Sequence, residues 1–249
     1  MYSSLGKLNH LGANAIGRSS LSYVNQHRDY HVYEDFYYGL LEYFRSELTG
    51  ARAKPICTDK KIFSLDSTTI GLCLKLFDWA RFRTTKGGIK LHTLLDNDTL
   101  MPEFIAVSEA AVSDIKAART LVDIPQNCIL AIDRGYYDFR WYRQLSKRHI
   151  TFVTRIKENI KLKRVKKILI DKDENWGCYE ITLQSDETAY EKGRLKVIPK
   201  YRLVQWKDKE SGRWFEYLTN DFKLSAEEIA AVYKDRWQIE LFSRSSNRT

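Results

Sequence analysis

Five residues in this sequence have types and spacings suited to chemistry on a phosphate. Tyr233, Arg236 and Glu240 lie three and then four residues apart in "YKDRWQIELF". On one helix they share a face. Ile229 and Trp237 fall on the same face, so that face is expected to be buried. An arginine and a glutamate turned inward need partners there, because an unpaired buried charge is costly. Two aspartates could supply part of that surrounding. Asp66 sits within "KIFSLDSTTI", which reads as a strand, on the face of Ile62 and Ser64. Asp133 closes the apolar run "NCILAID". Singly, each has a plain structural reading. Asp133 could cap the N–H groups of the turn that follows it, and Glu240 could pair with Arg236 at i,i+4. Together, two aspartates and a glutamate are hard oxygen donors, which suit Mg²⁺ or Mn²⁺. Such a set can hold two cations roughly 3.5–4 Å apart, one activating a nucleophile and one stabilising a leaving oxygen.

The composition fits that chemistry. The 249 residues carry a net charge of +9 and a pI near 9.2. A basic balance of this size points to a polyanionic partner, most often nucleic acid. Hydrophobic residues make up 43%, with 15 Tyr, 11 Phe and 6 Trp, which excludes a disordered chain. Cys57, Cys73, Cys128 and Cys178 are scattered without zinc-ligand spacing or neighbouring histidines, so zinc is not expected. They read as buried free thiols in a reducing cytoplasm. "TKGG" from Thr85 to Gly88 lacks the full phosphate-loop spacing and reads as a basic turn. No signal peptide is expected, nor an apolar run long enough for a membrane span.

The elements that must position these residues follow from periodicity. Residues 1 to about 28 read as a polar linker, and Asp29–Leu48 as an amphipathic helix with a core-packing aromatic face. Lys61–Ile70, "IKLHTLLD" and "EFIAVSEAA" read as strands, with an irregular connection after the first. "VSDIKAARTL" reads as a helix capped by Ser113. Asn127–Asp133 is a strand buried on both faces, "FRWYRQLSKRH" a helix and "ITFVTRI" another buried strand. Residues 157–213 form a β-rich insertion. It opens on a run from Arg155 to Lys167 with seven basic residues and one acidic one. Ser225 and Glu228 have capping-box spacing and announce one long final helix. The fold class is α/β, a mixed sheet with flanking helices and a β-rich insertion before the last helix.

Three motifs in this order resemble the insertion-sequence-four group of DDE transposases. "SLDSTTI" at Ser64–Ile70 resembles the first aspartate box and "LAIDRGYYDF" at Leu130–Phe139 the second. Tyr233, Arg236 and Glu240 resemble the signature helix. The resemblance implies a ribonuclease-H-like fold over residues 51–249. Residues 1–50 would then be a remnant of the DNA-recognition region. It implies Mg²⁺- or Mn²⁺-dependent cutting of DNA at transposon ends, followed by strand transfer. Asp66, Asp133 and Glu240 would be both catalytic and metal-binding. Tyr233 and Arg236 would contact DNA. Separately, the charge of Lys161, Lys163, Arg164, Lys166 and Lys167 points that run at DNA, with a solvated charged surface as its plain reading. Double-stranded DNA is the implied partner, with room for a homodimer in a cytoplasmic setting. The family signature continues to a lysine where this sequence has Asn247. That departure leads us to expect a chain truncated at both ends, without full transposition. A non-catalytic remnant that binds DNA or interferes with full-length copies stays open as the alternative, as does a nuclease of the same fold.

Overall fold

The computed structural model describes residues 17–48, 52–72, 81–83, 86–156, 165–183, 190–191, 194–195 and 200–246. The chain divides into two units, Met1–Leu48 and Thr49–Thr249.

The first unit contains helices α1 (Arg18–His27) and α2 (His31–Leu48). Residues 18–27 are therefore helical, where composition reads as a linker. The aromatic face of α2 is not core either. Tyr33, Phe36, Tyr43 and Phe44 are exposed, and Leu41 is the buried apolar residue among those described. Helical spacing reports that a face exists, and burial depends on what packs there.

Among the described residues the second unit is built on a ten-stranded sheet. Its first strands are β1 (Ile62–Leu72), β2 (Arg81–Arg83), β3 (Lys86–Asp96) and β4 (Pro102–Glu109). Strand structure thus extends to Leu72 and begins again at Arg81, within the stretch expected to be irregular. Lys86–Gly88 of "TKGG" belong to β3; Thr85 lies outside the described residues, as does Cys73. Helix α3 (Asp114–Thr120), β5 (Ile129–Ile132), a 3-10 turn (Arg134–Tyr136), α4 (Phe139–Lys147) and β6 (Thr151–Arg155) follow. Ser113 stands at the N-cap of α3, but its side chain makes no capping hydrogen bond. Then come β7 (Val165–Lys172), β8 (Trp176–Leu183), the two short strands β9 (Tyr190–Glu191) and β10 (Arg194–Leu195), β11 (Lys200–Lys207) and β12 (Trp214–Thr219). Helices α5 (Ala226–Asp235) and α6 (Trp237–Ser246) close the chain.

The sheet order is β2-β3-β1-β5-β6-β12-β11-β8-β7, with β4 also paired to β3. The β1–β5 and β5–β6 pairs are parallel, and the others are antiparallel. The β-rich segment does not stand apart. β12 returns to pair with β6, through Leu218↔Thr154, and carries β11, β8 and β7 outward as one continuous sheet. Among the described residues, β9 and β10 pair only with each other.

Alternation along the central strands gives the sheet two apolar faces. Phe63, Leu65, Leu130, Ile132 and Phe152 enter a cluster with Trp141, Tyr142 and Leu145 of α4. Ile62, Ile129, Ala131 and Val153 enter the opposite cluster with Ile229 and Val232 of α5. Helices therefore cover both faces, as central parallel strands require. The capping box that opens α5 is formed: Glu228 N–H donates to Ser225 Oγ and Ser225 N–H to Glu228 Oε2, at 3.1 and 2.7 Å. The result is a ribonuclease-H-like α/β fold. Among the described residues no helix is long and apolar enough to cross a membrane. Cys128 and Cys178 are buried free thiols, while Cys57 is exposed.

Candidate functional site

Strand parity places the two aspartates. Ile62 and Ser64 point to the α5 face, so Asp66, two residues on, points there too. Ile129 and Ala131 point to the same face, and Asp133 continues their parity. Leu65 pairs with Ile132 in the parallel register of β1 and β5. Asp66 and Asp133 each stand one residue beyond that pair. The two acids are thus neighbours on one face, at the carboxyl end of β5. Asp133 also caps the turn after it, accepting from Arg134 N–H at 2.6 Å.

Electrostatics reports the same proximity. Burial pushes the Asp66 carboxyl above its ordinary value. The charges of Asp133 and Glu240 push it further, against the Ser67 N–H and the Arg236 guanidinium. Asp133, Tyr233, Arg236 and Glu240 line one groove of about 820 Å³, together with Arg155 and Trp206. Arg236 is buried. It donates to Glu240 Oε1 at 2.6 Å and lies 5.5 Å from the Tyr233 ring. Among the described residues its Nε has no hydrogen-bond partner. Burial raises the Tyr233 hydroxyl pKa, partly offset by Arg236. Arg155 lies over the Phe215 ring at 4.5 Å and joins Arg134, Lys209 and Lys234 on the groove wall, where Asp208, Glu210 and Glu227 also stand.

Two expectations about the last helix need correcting. It is not continuous, because Arg236 separates α5 from α6. Trp237 does not anchor it, being 46% exposed, while Ile239 and Val232 are fully buried. Among the described residues no three His, Cys, Asp or Glu side chains are gathered closely enough to hold a metal ion. Glu240 is paired with Arg236 instead. The donor chemistry nevertheless fits a hard cation. Asp66 carries the repulsion of two neighbouring carboxylates, which a divalent cation would relieve.

Of the basic run, Lys166 and Lys167 stand on β7, and Lys167 lies 3.7 Å from the centre of the Tyr179 ring. Lys161, Lys163 and Arg164 lie outside the described residues, as does Asn247. Sequence reasoning missed Arg155 as a groove residue, since it read as one charge in the run. It also missed Asp235, which has the look of an ordinary solvated helix residue but is buried.

The mixed α/β sheet thus brings two neighbouring acids to the end of a central strand, beside a groove lined by both basic and acidic side chains. A family model described as the transposase DDE domain matches residues 58–249, and the chain belongs to that family. It is similar to the y4zB protein of Sinorhizobium fredii, with 36% identity over 183 residues, covering 72% of this chain and 49% of that protein. It is 27% identical over 186 residues to the IS5377 protein of Geobacillus stearothermophilus, covering 74% and 47%. It is also 27% identical over 250 residues to the IS4SA protein of a Synechocystis species, covering 97% and 64%. Each of these relatives has the word transposase in its name. The chain spans about half the length of the first two.

Proposed function

We propose that residues 51–249 form the catalytic domain of an insertion-sequence-four-type transposase, acting on the ends of a DNA element. The observation that carries this reading is the meeting of Asp66 and Asp133 on the face covered by α5, beside the groove that holds Tyr233, Arg236 and Glu240. Asp66, Asp133 and Glu240 would hold Mg²⁺ or Mn²⁺, which supplies Lewis-acid activation of the attacking and leaving oxygens. Arg236 binds a DNA phosphate near the cleaved end. Its planar guanidinium already makes a charge-assisted hydrogen bond to one carboxylate oxygen, and phosphate presents the same acceptor geometry. Tyr233 holds the Arg236 plane from one side. Residues 1–50 belong to a DNA-recognition region, and the protein works in the cytoplasm on double-stranded DNA, with a homodimer as the assembly that would hold two element ends.

One observation favours a second reading. Glu240 is committed to Arg236, so a chain that never releases it would bind DNA without cutting it. Incubating the protein with DNA carrying the element's own ends separates the two. Strand cleavage that needs Mg²⁺ or Mn²⁺ and stops with chelator supports the catalytic reading. Specific binding with no cleavage under any divalent cation supports the second and sinks the first.

The basic run has its own expected outcome. Neutralising Lys161, Lys163, Arg164, Lys166 and Lys167 together should weaken DNA binding. It should also flatten the plot of log affinity against log salt, by roughly 0.9 for each DNA phosphate that these side chains no longer neutralise. An unchanged slope in a salt titration would show these charges to be merely solvated.

A further inference from the structure

The break between α5 and α6 coincides with an ionic clamp that is buried at its acidic end and partly exposed at Arg52. Asp235, the last residue of α5, has a side chain only 4% exposed. Arg52 holds it with both terminal nitrogens, Nη1 donating to Oδ2 at 3.1 Å and Nη2 to Oδ1. Asn97 Nδ2 donates to the same Oδ2 at 2.8 Å. Arg52 Nη1 also reaches the Asn97 carbonyl at 3.1 Å. Asn97 is itself fully buried, and its N–H donates to the carbonyl of Ile62 at 2.9 Å. The clamp therefore joins three distant stretches of chain and is rooted at the first residue of β1, the strand that carries Asp66.

The position of this clamp matters more than its strength. Buried ion pairs contribute little net stability compared with apolar packing, and their best-attested use is to fix one arrangement. Here the arrangement fixed is the joint. Just beyond Asp235, Arg236 N–H bonds the Tyr233 carbonyl and Ile239 N–H bonds the Arg236 carbonyl. Both are three-residue spacings that tighten the turn. Helix α6 leaves this joint and packs on β1.

We infer that Asp235, Arg52 and Asn97 are positioning residues for the catalytic site, setting the exit direction of α6 so that Glu240 and Arg236 border Asp66 and Asp133. This rests on the metal-site reading above. The clamp touches neither DNA nor cation, and acts by holding the joint against the start of β1.

The test measures Mn²⁺ affinity by electron paramagnetic resonance on the full chain, beside thermal melting. Wild type should bind Mn²⁺ in a manner weakened by Asp66→Asn and by Glu240→Gln. The paired replacement Arg52→Met with Asp235→Leu substitutes apolar side chains for the ion pair. It leaves the buried Asn97 amide without its carboxylate acceptor and should lower Tm somewhat, while lowering Mn²⁺ affinity about 10–100-fold, the range found when groups that orient metal ligands are lost. Should that pair fail to fold, the single Arg52→Lys and Arg52→Gln variants carry the test. Lysine should retain more affinity than glutamine. Leu145→Ala, a core change on the other face, should lower Tm and leave affinity intact. Wild-type affinity in the paired variant, or in Arg52→Gln when the pair does not fold, would overturn the clamp's role while Asp66-dependent binding keeps the metal site. No Asp66-dependent binding in wild type would overturn both.

Discussion

Replacing Asp66 by Asn should abolish divalent-dependent strand cleavage while making the domain more heat-stable. The activity loss should exceed about 10²-fold, the lower end of what removing one charge-stabilising group from a reacting centre costs. The stability gain follows from the same carboxylate. Burial, with Asp133 and Glu240 nearby, raises the Asp66 pKa in the folded chain. The folded state then holds the proton more tightly than the unfolded state does. The ionised carboxylate begins to cost stability as pH rises through its ordinary unfolded value, and the cost is complete above its folded value. At pH 7 the Asn variant should melt higher; relief of about 1 kcal/mol corresponds to roughly 2–4 °C in a domain of this size. Below the ordinary carboxylate range both side chains are neutral, and the difference should vanish. Added Mg²⁺ should raise the wild-type Tm more than that of the variant, since a ligand stabilises only the state that binds it. Melting curves at pH 7 and pH 3, with and without Mg²⁺, check all three. A variant that melts lower at pH 7 would show Asp66 to be a structural residue rather than a strained functional one.

The other large effect lies in the core that carries the site. Phe152 on β6 is fully buried. It stacks on Tyr142 of α4 with ring centroids 4.4 Å apart, and Tyr201 of β11 lies 5.9 Å away. It thus joins a central parallel strand, a covering helix and the antiparallel half of the sheet. Phe152→Ala should cost about 3–5 kcal/mol, from lost burial plus the cavity left behind; that lowers Tm by roughly 6–20 °C. Ile168→Ala on β7 removes an exposed side chain and should change stability by no more than about 0.5 kcal/mol. Urea titration of both variants measures the contrast. If the two cost the same, the aromatic cluster is not the centre of the fold. A loss at Phe152 confined to the β7–β12 half, with α3 and α4 still folded, would show that the sheet is two cooperative units rather than one.

How far the sequence speaks depends on whether a feature is local. "ILAI" reads as a strand buried on both faces, because four consecutive apolar residues leave no side for water, and all four are buried in β5. Ser225 and Glu228 announced a helix start because a capping box needs only residues three apart. Parity along "KIFSLDSTTI" already put Asp66 with Ile62 and Ser64, and the parallel register with β5 then placed Asp133 beside it. The break at Arg236 was not legible. No glycine or proline marks it, and intrinsic propensity favours a helix running straight through. It coincides with a clamp whose partners, Arg52 and Asn97, are 183 and 138 residues away from Asp235 in sequence, a separation that no local pattern encodes. The same holds for the aromatic face of α2, for the exposure of Trp237, and for β12 returning to β6. Periodicity says which side chains share a face, and only the assembled chain decides what that face meets.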